Sequence, residues 1–204
     1  MNQILFIKNN PKKYIILLFI SVTILLLFLL YWSYSYYKIK HKEDVSKSVL
    51  SNFNIAKIYS DDQSYTVIEL NNSSKAYVIG VIEIQKINIK YPILSEISDE
   101  LLKISPCKFY GSSPNEKGNL CIAAHNYDDD RFFGNLYKLD VGDNINIYDS
   151  CNNLTHYYIY DKFESSEKDT SCINQDTNGQ KELTLITCNN LNKNRLIIKA
   201  KAEK

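Results

Sequence analysis

From Tyr14 to Tyr34 the chain carries no charged residue, and the run from Tyr14 through Leu30 is almost wholly apolar. At 1.5 Å of rise per residue such a helix crosses a hydrocarbon core of about 30 Å. Tyr31, Trp32, Tyr34, Tyr36 and Tyr37 follow it, a cluster of amphipathic rings suited to the headgroup level. The stretch is longer than a signal-peptide core, and no small-x-small cleavage site follows, so it reads as an uncleaved anchor. Lys8, Lys12 and Lys13 on one side balance Lys38, Lys40 and Lys42 on the other, so flanking charge alone does not orient it.

Beyond the anchor the period changes. Val45, Val49, Phe53 and Ala56 recur at helical spacing and predict a short amphipathic helix within residues 41–59 that packs on the following domain. Residues 61–75 are polar, with Asn71-Asn72-Ser73-Ser74, and read as a linker or loop. From Ala76 the pattern becomes β-rich: residues 76–84, 87–93, 120–124, 145–148, 155–163, 183–188 and 195–200 abound in Val, Ile, Thr and Tyr. Gly142-Asp143, Asn152-Asn153, Asn178-Gly179 and Asn189-Asn190 supply turn chemistry between them. Two short helices are expected at 98–104 and 131–138, the second with Phe132, Phe133 and Leu136 on one side. Seven or eight strands with few helices predict an all-β domain, a closed barrel or a sandwich.

With 204 residues there is room for one compact domain plus appendages. Lys and Arg number 24 against 23 Asp and Glu, a formal net charge of +1, which offers no polyanion-binding surface and sets nucleic acid aside. The five cysteines are odd in number and do not space like a disulfide scaffold. Cys107, Cys121, Cys151 and Cys172 are therefore expected to be small buried hydrophobes.

Candidate chemistry concentrates in two places. Leu183–Cys188 and the run from Arg195 read as strands joined by a polar connection of six residues, a β-hairpin in which Cys188 and Arg195 become cross-strand neighbours about 4.5–5.5 Å apart. A guanidinium beside a thiol favours thiolate and can bind the oxyanion formed when a carbonyl is attacked. Arg131 and Arg195 are the only arginines among many lysines, so the planar fork of Arg195 is the property in demand, although a solvated strand face accommodates an arginine too. A cysteine nucleophile needs an acid–base partner. His41 lies just past the membrane helix and His156 opens a Tyr-rich strand, whereas His125 ends an apolar strand of small residues that leads into the acidic loop Asp128–Asp130. That strand-end position suits catalysis.

These same residues carry a resemblance. Thr184-Leu185-Ile186-Thr187-Cys188 followed by Arg195 resembles the sortase signature TLxTC…R, and Gly118-Asn119-x-x-Ile122-Ala123-Ala124-His125 is similar to that family's GNxxIAGH block. Val78–Ile84, Tyr91-Pro92-Ile93-Leu94, Phe133–Leu139 and Gly142-Asp143 match further blocks in the same order, so the likeness runs from about residue 78 to 201. Two departures stand out: Ala124 replaces the usual glycine, and the connection from Cys188 to Arg195 is shorter than in many members. The resemblance implies a closed eight-stranded β-barrel, outside a Gram-positive cell, behind a single N-terminal membrane helix. Its divisions would be a cytoplasmic tail (1–13), the anchor (14–34), a juxtamembrane helix and linker (35–75) and the catalytic domain (76–204).

It further implies a membrane-anchored cysteine transpeptidase, closest to class D or class A with class B as the alternative. It would cut an LPXTG-like sorting signal of a surface protein between Thr and Gly. Cys188 is the implied nucleophile, His125 the proton-transfer partner and Arg195 the clamp on a carbonyl or oxyanion; Thr187 either contacts substrate or fills the strand. The acyl group would pass to an amine of peptidoglycan or its lipid-linked precursor, with no cofactor. A metal site from Cys121 and His125 is disfavoured, since residues four apart on a strand lie about 13 Å from one another. Asp128–Asp130 reads as a solvated loop in preference to a calcium site. The rival readings are a hydrolytic cysteine protease and a membrane-tethered β-domain that binds or adheres without chemistry.

Overall fold

The computed structural model describes residues 11–59, 67–70, 74–189 and 194–203. Backbone contacts divide the chain at Glu43/Asp44 into two units. The first contains most of the apolar helix. Among the described residues a single stretch, Lys12–Lys38, is a helix long and apolar enough to cross a membrane, and its Leu, Ile and Phe side chains are exposed along its length. Helix α1 runs unbroken from Pro11 to Tyr59. The two helices expected on either side of residue 41 are thus one, since no proline or glycine interrupts residues 12–59. The tail before Pro11 lies outside the described residues.

The second unit is a barrel. Its strands are β1 (Val67–Leu70), β2 (Ser74–Ile84), β3 (Ile89–Leu94), β4 (Cys107–Tyr110), β5 (Gly118–Ala123), β6 (Asn144–Asp149), β7 (Leu154–Ser165), β8 (Lys181–Cys188) and β9 (Arg195–Ala202). They hydrogen-bond in the order β1-β2-β3-β4-β5-β8-β9-β7-β6, and β6 returns to β2. Strands β2 to β9 therefore close an eight-stranded barrel, and β1 is an antiparallel flap on β2. Most pairings are antiparallel, but β3 meets β4 and β5 meets β8 in parallel. Strand β1 falls inside the segment read as a linker, whose residues 61–66 and 71–73 lie outside the described set.

Alternation along β8 sorts its side chains. Leu183 and Leu185 join Ile198, Ala200, Ile82, Ile122 and Phe133 in the barrel core. Ile186 faces outward with Ile197, Cys121 and Cys172, a second cluster closed by the β7–β8 connection. Both faces of β8 are covered over Leu183–Thr187, and the outward Thr184 is buried with its hydroxyl donating to Asn119. A third cluster seats Val49, with Val45 and Leu50, against Ala76, Val78, Val81, Leu94, Leu101 and Cys107, the packing expected of Val45 and Val49; the side chains of Phe53 and Ala56 lie outside the described set.

Helix α2 (Asp99–Leu102) is capped by Ser98, whose hydroxyl accepts from the Leu101 N–H. The helix expected at 131–138 shrinks to a 3₁₀ turn over Leu136–Lys138. Asp130 and Phe132 have φ of 64° and 53°, and residues in that left-handed region cannot propagate a right-handed helix. Asn178 and Gly179, with φ of 51° and 75°, form the left-handed pair that a two-residue reversal requires.

Candidate active site

The cross-strand register pairs Cys188 with Arg195. On the other side of β8, the parallel ladder from β5 ends at Ala123↔Ile186 and is prolonged by the Ala124 N–H donating to the Ile186 carbonyl at 3.2 Å. His125 lies two residues beyond Ala123, as Cys188 lies two beyond Ile186. His125 thus follows the end of β5 beside the end of β8 that carries Cys188, and β9 sets Arg195 opposite Cys188. Adjoining strand ends therefore carry imidazole, thiol and guanidinium. Cys188 is exposed, and His125 and Arg195 are half-buried.

Two side chains strap the strand ends together. The Thr187 hydroxyl, 3% exposed, donates to the Ala124 carbonyl at 2.8 Å. Asn126 Nδ2 donates to the Cys188 carbonyl, also at 2.8 Å. Thr187 thus faces inward and holds the Cys188 strand to the His125 strand; its hydroxyl is engaged within the protein. Beyond Cys188, the Asn189 N–H donates to the Asn194 carbonyl at 2.9 Å. The Asn189 and Asn194 side-chain amides both donate to Glu164 on β7. The base of the hairpin connection is thereby fixed to the neighbouring strand, while its residues 190–193 lie outside the described set.

The segment after His125 folds back on it. The Phe133 N–H donates to the His125 carbonyl at 3.1 Å, and Asn126 bridges Phe132. The Tyr127 ring lies 5.2 Å from the imidazole centroid and 5.7 Å from Phe132. Over Tyr127, at 4.2 Å, sits the Arg131 guanidinium, whose Nε donates to both carboxylate oxygens of Asp129 at 2.9 and 2.8 Å. A left-handed φ at a bulky residue such as Phe132 costs on the order of 1–3 kcal/mol and persists where packing over-determines it. Here burial of Phe132 at 0% exposure provides that determination.

A cleft of about 470 Å³ opens beside Cys188, walled by Asn126, Tyr127, Phe133, Tyr137, Glu164 and Leu196 among others. On the outward face, Asn119 Nδ2 donates to the carbonyls of Cys172 and Asn174, and its Oδ1 accepts from Thr184. Those bonds pin the β7–β8 connection against the strands that lead to Cys188 and His125.

The remaining thiols and His156 do not join Cys188. Burial pushes Cys107 and Cys121 up to about 12 and raises Cys172 as well, so none of the three forms thiolate near neutrality. Cys151 overturns its expected burial: it is exposed on the β6–β7 turn, its N–H bonded to Asp149. No described cysteine is in a disulfide. His156 pairs with Asn146 at 2.8 Å near the start of β7. Ser165, the β7 residue opposite Arg195, is nine residues away, or roughly 30 Å along the strand. Asp129 is committed to Arg131, and no group of three or more His, Cys, Asp or Glu among the described residues is spaced to hold a metal. An exposed thiol flanked by imidazole and guanidinium has the parts for nucleophilic acyl transfer. Asn126, Tyr127, Arg131 and Glu164 were not singled out as site residues by sequence reasoning; Asn126 and Tyr127 betray themselves only by following His125 directly.

Comparison with known proteins gives a consistent result. A family model described as the sortase domain matches residues 82–203. No curated protein matches the chain. Among solved structures, a Clostridium perfringens sortase D5 transpeptidase is 29% identical with a TM-score of 0.65, covering 79% of this chain and all of that one. Streptococcus agalactiae sortase C1 is 27% identical (TM-score 0.54, 61% of this chain, 67% of that one). Listeria monocytogenes sortase A, 23% identical with a TM-score of 0.57 over 62% and 88% of the two chains, shares the fold.

Proposed function

The chain belongs to the sortase family, and from that premise we propose that it is a membrane-anchored cysteine transpeptidase acting on sorting signals, with Cys188, His125 and Arg195 as its catalytic residues. One observation supports the assignment: Cys188 and Arg195 are cross-strand partners on β8 and β9, and the β5–β8 ladder stops two residues short of both His125 and Cys188. The Cys188 thiol passes its proton to His125 as its sulfur attacks the threonine carbonyl of an LPXTG-like signal, and Arg195 hydrogen-bonds the developing oxyanion. When the C–N bond breaks, His125 gives a proton to the departing glycine amine and a thioester remains. An acceptor amine of peptidoglycan or its lipid-linked precursor then attacks the thioester, His125 takes its proton, and the thiol is regenerated. The likeness to the sortase D5 transpeptidase supports a class D reading.

The apolar helix is proposed to cross the membrane once with the N-terminus cytoplasmic, holding the barrel outside beside the wall. The test is incubation of the full-length chain in detergent micelles with an LPXTG-type peptide, with and without an added amine. Formation of the amide with the amine, lost in Cys188→Ala, is expected. Cleavage that survives that substitution, or that gives only the free acid when amine is plentiful, would overturn the transpeptidase assignment.

A further inference from the structure

One of the two arginines is absorbed by the proposed mechanism; the other is not. Arg131 lies on the connection after His125, and its side chain is only 8% exposed. Burying a guanidinium is costly unless its charge is paired and its donors are used. Asp129 supplies that pairing through both carboxylate oxygens. The guanidinium carbon lies over the Tyr127 ring, 4.2 Å from its centre, and the centre of that ring is 5.2 Å from that of the His125 imidazole. Guanidinium, phenol and imidazole thus form a continuous series of contacts that ends on the proposed acid–base residue.

The backbone makes this series stiff. The Asp130 N–H returns to the Tyr127 carbonyl at 3.2 Å, and the Gly134 N–H returns to the Arg131 carbonyl at 3.0 Å. At Gly134 a Cβ would stand 2.4 Å from the Tyr127 carbonyl oxygen, so the loop closes too tightly there for any side chain. The residues on either side of Arg131 are held at positive φ. The tight turn returns Arg131 over Tyr127.

We propose that Arg131 is a positioning residue: by stacking on Tyr127 it fixes the orientation of the His125 imidazole relative to Cys188. This rests on the reading of His125 as the proton-transfer group. A lysine cannot substitute, because an ammonium has neither the planar face that stacks on an aromatic ring nor the in-plane Nε donor that meets Asp129. Misplacing a reacting group by about 1 Å costs on the order of 10² in rate, which sets the scale of the effect.

The test uses the full-length chain in micelles. Arg131→Lys should lower kcat about 10- to 100-fold with KM for the peptide unchanged. Tyr127→Phe keeps the ring and should retain activity, whereas Tyr127→Leu should match Arg131→Lys. The double variant Arg131→Lys/Tyr127→Leu should be no worse than either single one, as for groups acting in series. Asp129→Asn, which loosens the guanidinium without removing it, gives a milder loss and serves if Arg131→Lys fails to fold. In spectra of histidine-labelled protein, assigned with His125→Ala, the ring resonances of His125 should move in Arg131→Lys and those of His156 should not. Unchanged kcat, losses that multiply in the double variant, or unmoved His125 resonances while activity and stability fall together would each overturn the positioning role. Activity in His125→Ala would instead overturn the reading beneath it, and the spectra report on Arg131 in either case.

Discussion

Thr187→Val tests whether the residue before Cys188 acts on substrate or on the protein. The substitution preserves shape and deletes one donor, that of the 2.8 Å bond to the Ala124 carbonyl. A neutral hydrogen bond contributes about 1 kcal/mol net, rising to about 1–3 kcal/mol if the acceptor is left buried and unsatisfied. Thr187 is 3% exposed, so little water can replace the lost donor, and a loss of about 1–2 kcal/mol is expected. For a chain of this size that corresponds to roughly 3–6 °C in the unfolding temperature. Because the strap joins the residue before Cys188 to the residue before His125, kcat should fall about 3- to 10-fold, a fraction of the cost of a full 1 Å misplacement. KM for the peptide should not change. Thr187→Ser, which restores the donor and gives up one methyl worth about 0.8 kcal/mol, should recover kcat more fully than stability. Thermal unfolding followed by circular dichroism, with steady-state transpeptidation on the same samples, decides the matter. A tenfold rise in KM with an unaltered unfolding temperature would refute the strap and give the hydroxyl to the substrate.

Three further outcomes are expected. Arg195→Lys retains the charge but not the fork of donors, and transpeptidation should fall about 10²–10³-fold while unfolding is unaffected; near-normal turnover would show that charge alone suffices. Of the five cysteines, two are exposed and three buried, so mass spectrometry should find two alkylations in the native chain and five after denaturation, with Cys188→Ala leaving one in the native state. Burial alone would raise the Glu83 carboxyl, but hydrogen bonds from Tyr148 and Lys90 outweigh it and hold the group below its ordinary value. A depressed carboxylate stabilises the fold above its unfolded-state value and loses that contribution as pH falls through the folded one, so Tyr148→Phe should flatten the pH dependence of urea unfolding below about pH 5.

Strands β2, β3 and β5 to β9 were legible because Val, Ile and Thr mark residues that pack on a pleated surface. Strands β1 and β4 were not. Each is four residues long, too short for a period to register, and β4 sits between Pro106 and Gly111. The apolar positions of 131–138 pointed to a helix because periodicity does not report φ, and the positive φ of Phe132 follows from tertiary packing. Cys188 and Arg195 could be paired from the hairpin alone, since six residues separate them. That the strand end before His125 lies beside the one that carries Cys188 depends on the parallel ladder between β5 and β8, whose partners are more than 60 residues apart; only the strand-end position of the histidine hinted at it. Arg131 was conspicuous as a rare residue type, but the contact that gives it meaning arises from the fold.

The strand order also governs when the barrel can close. Strand β9, the last in the chain, is not at an edge: it lies between β8 and β7. The parallel partners β5 and β8 cannot pair until the intervening strands and connections have been synthesised, and loop closure of that length delays folding. A chain emerging from its N-terminus therefore exposes His125 first, Cys188 some sixty residues later, and Arg195 only with the strand that shuts the barrel. Until β9 has docked, Cys188 lacks its cross-strand partner Arg195. On the proposed mechanism, the order of synthesis would then leave the clamp as the last part of the site to arrive.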